Sequence, residues 1–375
     1  MFFHVDIKGD RLPDHTLCLT FDDGPGTRTL ELGQYLYAHK IPATFFSIGR
    51  HLEQFAGLGR QLHEWGHLLG NHTTTHPGLV ALAKSGGDVV GEVAVTDALI
   101  RQQCSEPVIY LRAPYGNWRE TIEPENAIDR PRSVVAELLN QTALSKDSVG
   151  PINWDISGHD YDYWKNGRPA DECAQEYLAR IHERRRGIVL MHDSSEDAII
   201  RSRNRTFELT RLIVPVLERL GYSFVRLDEI AQVRSAAQVS RQIGLSTSSD
   251  RYLGTCSSRH DMLVADRLGI GFTEQFGIVQ VGRSSIALRA SNGLFVSLDQ
   301  QSSRLLAIAE SIGHTETFRR IDIEPGFFIL QTVESRYLTI DRSDASVLAR
   351  AVQATQTEIF HDLDLFPPTS VMQPS

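Results

Sequence analysis

Leu17-Cys18-Leu19-Thr20-Phe21-Asp22-Asp23-Gly24-Pro25 is an apolar run that stops on two carboxylates and a Gly-Pro turn. A short run of this kind suits a strand buried on both faces, as in a parallel sheet. Adjacent carboxylates at a strand end are costly unless something neutralises or uses them. Consecutive side chains point in different directions, so one acid can hold a metal while the other faces a water. A helix N-cap with a spare acid is the plainer alternative.

Outward from this stretch, six more runs have the same character: Ala43–Ile48, His67–Gly70, Val108–Leu111, Pro151–Ile156, Gly187–Met191 and Tyr222–Arg226. Amphipathic patterns separate them. One carries Phe207, Leu212, Ile213, Val216, Leu217 and Leu220 at helical spacing, and another carries Cys173, Tyr177 and Ile181. Strands alternating with helices through residue 232 predict an α/β barrel or a doubly wound sheet.

The strand ends repeatedly carry reactive groups. His72 and His76, in Asn71-His72-Thr73-Thr74-Thr75-His76-Pro77, are four apart and in a helical turn can grip one ion. His63 and His67 share that spacing, but Gly66 intervenes and His67 opens a strand, so they are expected to be structural. Arg112, in Arg112-Ala113-Pro114-Tyr115, can pin a carboxylate bidentately and keep it ionised. Trp154-Asp155-Ile156-Ser157-Gly158-His159-Asp160-Tyr161 and Leu190-Met191-His192-Asp193 end two further strands. Reactive groups of α/β barrels gather at that rim. One Asp and two His leave coordination positions open, as catalytic metal sites do.

The 375 residues carry a formal charge of −9, with 41% hydrophobic and 23% charged residues. That balance excludes a disordered chain and argues against nucleic-acid or anionic-membrane partners. Arg184-Arg185-Arg186 is a basic cluster, placed where a helix should end. No run approaches the ~18 apolar residues of a membrane span. Cys18, Cys104, Cys173 and Cys256 form no C-x-x-C pair, so neither a zinc-thiolate site nor a disulfide scaffold is expected. The start lacks the pattern of a signal peptide, so the chain as written is expected in the cytoplasm, or outside the cell had a leader been removed.

Beyond the polar stretch 233–250, which reads as a linker with room for a short helix, the sequence repeats. Leu263-Val264-Ala265, Leu305-Leu306-Ala307 and Val347-Leu348-Ala349 recur every 42 residues, as do Thr273-Glu274-Gln275-Phe276, Thr315-Glu316-Thr317-Phe318 and Thr357-Glu358-Ile359-Phe360. Three copies suggest a closed threefold object, and a β-trefoil over 251–365 fits, with a loose tail at 366–375.

Residues 15–232 resemble the NodB-homology polysaccharide deacetylases, carbohydrate esterase family 4. The resemblance rests on T-F-D-D-G-P at 20–25, H-x-x-x-H at 72–76, R-x-P-Y at 112–115, the W-D segment at 154–161 and L-x-H at 190–192. It implies a distorted seven-stranded (β/α) barrel over 1–232 and a divalent metal, usually Zn2+ with Co2+ or Ni2+ as alternatives, on Asp23, His72 and His76. By position, Asp22 is the implied general base, Arg112 its orienting partner and His192 the general acid. The Tyr115 N–H would hold the oxyanion and Leu190 would line the acetyl pocket, with Trp154 a further substrate contact. The family commonly reads D-x-x-D-W in the fourth motif. Ser157 replaces its first acid and Tyr161 its Trp, so Asp160, Asp155 and Asp162 compete to support His192. The long segment from Gly116 to Gly150 is expected to shape the substrate groove.

The implied activity is metal-dependent N-deacetylation of amino sugars. An O-acetyl esterase and a glycan-binding protein with a degenerate barrel are the alternatives. Residues 251–362 resemble fascin-like β-trefoil repeats, notably Ile286-Ala287-Leu288-Arg289-Ala290-Ser291-Asn292-Gly293-Leu294-Phe295-Val296-Ser297. Such a domain could bind glycan or serve as a structural or dimerising unit. No Trp follows Trp164, so the Gln-x-Trp signature of ricin-type lectins is missing.

Overall fold

A computed structural model describes residues 1–120 and 133–366. The decisive stretch is β2 (Thr16–Asp22), every residue of which is buried. It pairs in parallel with β3 (Ala43–Ser47) and β8 (Gly187–His192). β4 (Leu68–Asn71) follows β3, β7 (Ile156–Ser157) follows β8, and the short β9 (Ser223–Phe224) lies against the start of β2. A second parallel group holds β1 (Phe2–Ile7), β6 (Ser148–Ile152) and β5 (Ile109–Tyr110). A parallel bridge between Asn71 and Leu111 joins the two groups into one curved array.

Two expectations change here. Phe2–Ile7 is a strand that the apolar-run pattern passed over. Pro151–Ile156 is two strands, because Asn153 to Asp155 leave the ladder: Asn153 N–H donates to the Ile7 carbonyl at 2.9 Å, and the Asp155 carboxylate accepts from Gly9 and Ile188 N–H at 2.8 Å. Helices cover the outside. Ala170–Arg184 buries Cys173, Tyr177 and Ile181 as its spacing predicts. Thr206–Arg219 buries Leu209, Ile213, Val214 and Leu217 but leaves Leu212 exposed. Among the described residues no helix is long and apolar enough to cross a membrane.

The C-terminal region is a 12-stranded antiparallel sheet. Six strands close into a ring: β10 (Arg241–Thr247), β13 (Gln275–Gln280), β14 (Ser285–Ala290), β17 (Phe318–Glu324), β18 (Phe327–Thr332) and β21 (Ile359–Asp364), the last pairing back to β10. Three hairpins cap it: β11 (Tyr252–Cys256) with β12 (Met262–Arg267), β15 (Phe295–Leu298) with β16 (Leu305–Ala309), and β19 (Tyr337–Ile340) with β20 (Val347–Ala351). The 42-residue repeat now has a physical meaning. Phe276, Phe318 and Phe360 meet in one core. The preceding Glu274, Glu316 and Glu358 are buried, and each accepts a backbone N–H, from Gly271, Gly313 and Thr355 respectively, at 2.8 Å. Those buried carboxylates are satisfied by the turns in front of them, and the bond fixes each turn against the core.

The stretch expected to be a linker is not one. Ala231–Ala236 is a helix, and residues 241–247 form strand β10, paired with β13 and β21. Val233, Ala236 and Val239 join Phe3, Ile7, Ile152 and Ile188 of the barrel, Val279 and Ala287 of the ring and Phe295 of a capping hairpin in a single apolar cluster. Of the expected tail, Phe366 lies against the His4 ring, and 367–375 lie outside the described residues.

Candidate active site

β2 delivers Asp22 within the ladder, and the chain then turns at Asp23, whose φ is +70°. This turn separates the two carboxylates. Asp22 Oδ1 accepts from Arg112 Nη1 at 2.7 Å. Arg112 is fully buried, also donates to Thr20 Oγ1 at 2.8 Å, and lies over the Phe46 ring at 4.1 Å. An ion pair this enclosed fixes a carboxylate's direction.

Asp23 turns the other way. Its Oδ1 is buried without a hydrogen-bond donor, and faces His76 Nε2 at 3.1 Å and His72 Nε2 at 3.4 Å. Ligand atoms of the three residues all lie within 4.8 Å of one another. His72 Nδ1 donates to the Arg112 carbonyl at 2.8 Å, which leaves the Nε2 lone pair free. An imidazole held this way is prepared to bind a metal. Burial opposes the charge on Asp23, but the two imidazoles hold its carboxyl well below the ordinary carboxylate range. One carboxylate and two imidazoles with an orphaned buried oxygen fit a divalent cation with open positions.

The loop carrying the histidines is held by residues that no motif marked. Asn71 Oδ1 accepts from Thr73 N–H at 2.8 Å, and Thr73 Oγ1 from His76 N–H at 3.1 Å. Glu92, on the helix Val89–Arg101, accepts from Thr74 N–H at 3.0 Å and from Thr75 N–H at 2.8 Å. His51 Nδ1 donates to the Asp23 carbonyl at 2.7 Å. Asp23, Thr73, His76 and Tyr115 all have positive φ. Non-glycine residues in that region store strain, and surroundings that over-determine them are a mark of functional sites. His72 and His76 therefore converge through a strained loop, not the helical turn their spacing suggested.

His192 ends β8. Its Nδ1 and its backbone N–H each bond an oxygen of Asp160 at 2.8 Å. Asp160 is fully buried in the first turn of the helix Asp160–Lys165. Burial disfavours the imidazolium, but Asp160, with Asp23 and Asp22 adding, raises His192 to about 10. The competition among acids is thereby resolved: Asp155 caps backbone amides of β8 and the segment after β1, and Asp162 is exposed. A third acid, Asp193, lies behind the pair. Burial pushes it up to about 7, and a Cβ on Gly24 would meet its Oδ2 at 2.3 Å, so that position tolerates no side chain.

Around this centre, Tyr115 is exposed and its ring packs on His76, with centroids 4.6 Å apart. Trp154 is half-buried, 5.9 Å from the Arg112 guanidinium. Leu190 is buried in β8, its carbonyl accepting from Tyr177 Oη at 2.7 Å. Of the pair expected to be structural, His67 bonds the Gly33 carbonyl and His63 lies beside Glu106, both away from the centre. Of the segment Gly116 to Gly150 expected to shape a groove, 121–132 lie outside the described residues, while 133–150 supply the helix Val134–Asn140, whose Val135, Ala136 and Leu139 are buried in the core, and the start of β6.

The model of the family described as polysaccharide deacetylase matches residues 9–128. A chitooligosaccharide deacetylase from a Bradyrhizobium strain is 30% identical over 236 residues, which cover 60% of this chain and 93% of that protein. A chitooligosaccharide deacetylase from Rhizobium leguminosarum bv. trifolii is 30% identical over 58% of this chain and 92% of its own. A peptidoglycan-N-acetylglucosamine deacetylase from Bacillus cereus is 30% identical over 47% of this chain and 58% of that protein. With relatives matched over nearly their whole length, this chain belongs to the polysaccharide deacetylase family.

Proposed function

We propose that the protein is a metal-dependent N-deacetylase of amino sugars, releasing acetate from an N-acetylated glycan. The observation that carries this reading is the placement of three separate devices on one barrel rim: the Asp23, His72 and His76 cluster, the Asp22–Arg112 pair and the His192–Asp160 pair. A bound divalent cation supplies carbonyl polarisation and a more acidic water. Zn2+ is the ion we assign, with Co2+ and Ni2+ as substitutes, because a two-imidazole, one-carboxylate set with open positions suits it.

The chain's residues then divide the proton work. Asp22, oriented by Arg112, accepts the proton of the attacking water. The Tyr115 N–H donates to the oxygen that becomes negative, an interaction worth ~3–4 kcal/mol per donor. An amine leaves poorly unless protonated, so the His192 imidazolium donates to nitrogen as the C–N bond breaks. Asp160 keeps that imidazole charged and correctly turned. Leu190 and Trp154 we assign to the walls contacting acetyl group and sugar. An ester needs little leaving-group protonation, so the investment in His192 favours an amide.

The C-terminal region we read as a β-trefoil of fascin-like type. The closed ring, the three capping hairpins and the threefold Glu turns support that reading. Its proposed role is to hold glycan near the barrel, which raises effective concentration.

The test is acetate release from chitooligosaccharides, peptidoglycan fragments, acetylated xylan and monomeric N-acetylglucosamine. Chelation should abolish release and added Zn2+ or Co2+ restore it. Asp22→Asn should lose at least about 100-fold in kcat while still binding metal; full activity in that variant overturns the base assignment.

A further inference from the structure

Arg289 is a charged side chain in an unusual position. It lies on β14, is 4% exposed and packs over the Phe3 ring at 4.9 Å. It therefore sits where the barrel's first strand meets the C-terminal ring. Its Nε donates to Ser235 Oγ at 2.8 Å and its Nη2 to the Gln232 carbonyl at 3.0 Å. Among the described residues no carboxylate pairs with it and Nη1 has no hydrogen-bond partner. A buried guanidinium without a counter-ion is expensive, and proteins ordinarily supply one.

The guanidinium lines a cavity of about 160 Å3 between the two regions. Asp6, Lys8, Asp10, Arg11 and Gln232 also line it. Some of their charges are already used. Asp6 pairs with Arg119 and Arg11 with Asp261, while Asp10 accepts only from the neutral Gln232 Nε2 at 3.3 Å, so its single charge stands against the two of Lys8 and Arg289. Lys8 and Arg289 are the lining cations left without an ion pair among the described residues.

We propose that this cavity binds a small oxyanion, the carboxylate or phosphate of a ligand, with Arg289 as its buried partner and Lys8 as its rim contact. A planar guanidinium with free donors matches an oxyanion's geometry. Burial alone already pushes Arg289 down to about 9, a penalty that a bound anion relieves. The site is independent of the acetate-releasing chemistry, since no residue of the rim cluster takes part. Because the anion would touch the barrel (Lys8) and the ring (Arg289) together, its binding stabilises their docking.

The experiment is thermal unfolding of the full chain in inorganic phosphate or glucuronate, against NaCl of equal ionic strength. Wild type should show a saturable rise in Tm. Arg289→Gln should weaken the apparent affinity about 10–100-fold, and Lys8→Gln by a smaller factor. Lys8→Glu should raise Tm without added anion and remove the response. A response to phosphate alone assigns phosphate, one to glucuronate alone assigns carboxylate, and one to both assigns an unselective oxyanion pocket. If Arg289→Gln does not fold, the exposed Lys8 variants decide. A rise matched by chloride, or a response unchanged in the variants that fold, overturns the proposal.

Discussion

Asp22 and Asp23 share a peptide bond but not an environment. One stays in the ladder against Arg112, and the other turns through a positive φ toward two imidazoles. The same economy of placement governs His192. Its charge is held by Asp160, so the ring keeps its proton well above the ordinary His value of ~6.5 and loses it only as pH rises through about 10. In metal-free protein, the His192 ring protons should titrate near that upper value by NMR. In Asp160→Asn the midpoint should fall toward the ordinary one. The alkaline limb of the rate profile should move down in the same direction, and a limb that stays in place removes His192 from the acid role. Asp160 was one of three readable candidates. Choosing among them required three-dimensional information, because Asp155 and Asp160 differ in which backbone amides they meet, not in any local pattern.

At the scale of elements, the metal loop depends on a neighbouring helix. Glu92 receives the amides of Thr74 and Thr75, and Asn71 and Thr73 hold the rest of the turn. Glu92→Ala should therefore weaken metal affinity about 10–100-fold by calorimetry, with circular dichroism unchanged. In the ring, Glu316→Ala removes the acceptor of the Gly313 N–H and of Thr315 Oγ1 and should cost about 1 kcal/mol in denaturant melts. Much of the barrel was legible because β2, β3 and β8 are continuous apolar runs. Phe2–Ile7 was not, since Phe-Phe-His-Val-Asp-Ile interrupts its apolar residues with His4 and Asp6. The break within Pro151–Ile156 was hidden too, because Ile152 and Ile156 remain buried on either side of it. That His72 and His76 would meet was legible in their spacing, though not the loop that brings them together. Glu92 and His51 were not, because they act on backbone groups and leave no motif.

For the whole molecule, the deciding feature is the shared apolar cluster in which Phe3 and Ile188 of the barrel meet Val279 of the ring and Phe295 of its capping hairpin through Val233 and Ala236. Phe295→Ala should cost about 3–5 kcal/mol. Because the core is common, calorimetry should show one transition moving down as a unit, not a separate early melt of the ring. The first ring strand also begins soon after the helix Ala231–Ala236 ends, leaving little slack between them. A protease seeking a supple hinge should find none near residue 240, so limited digestion should leave this junction intact. Whatever reaches the barrel mouth then meets a neighbour fixed at one distance and one angle, unlike a module swinging on a tether.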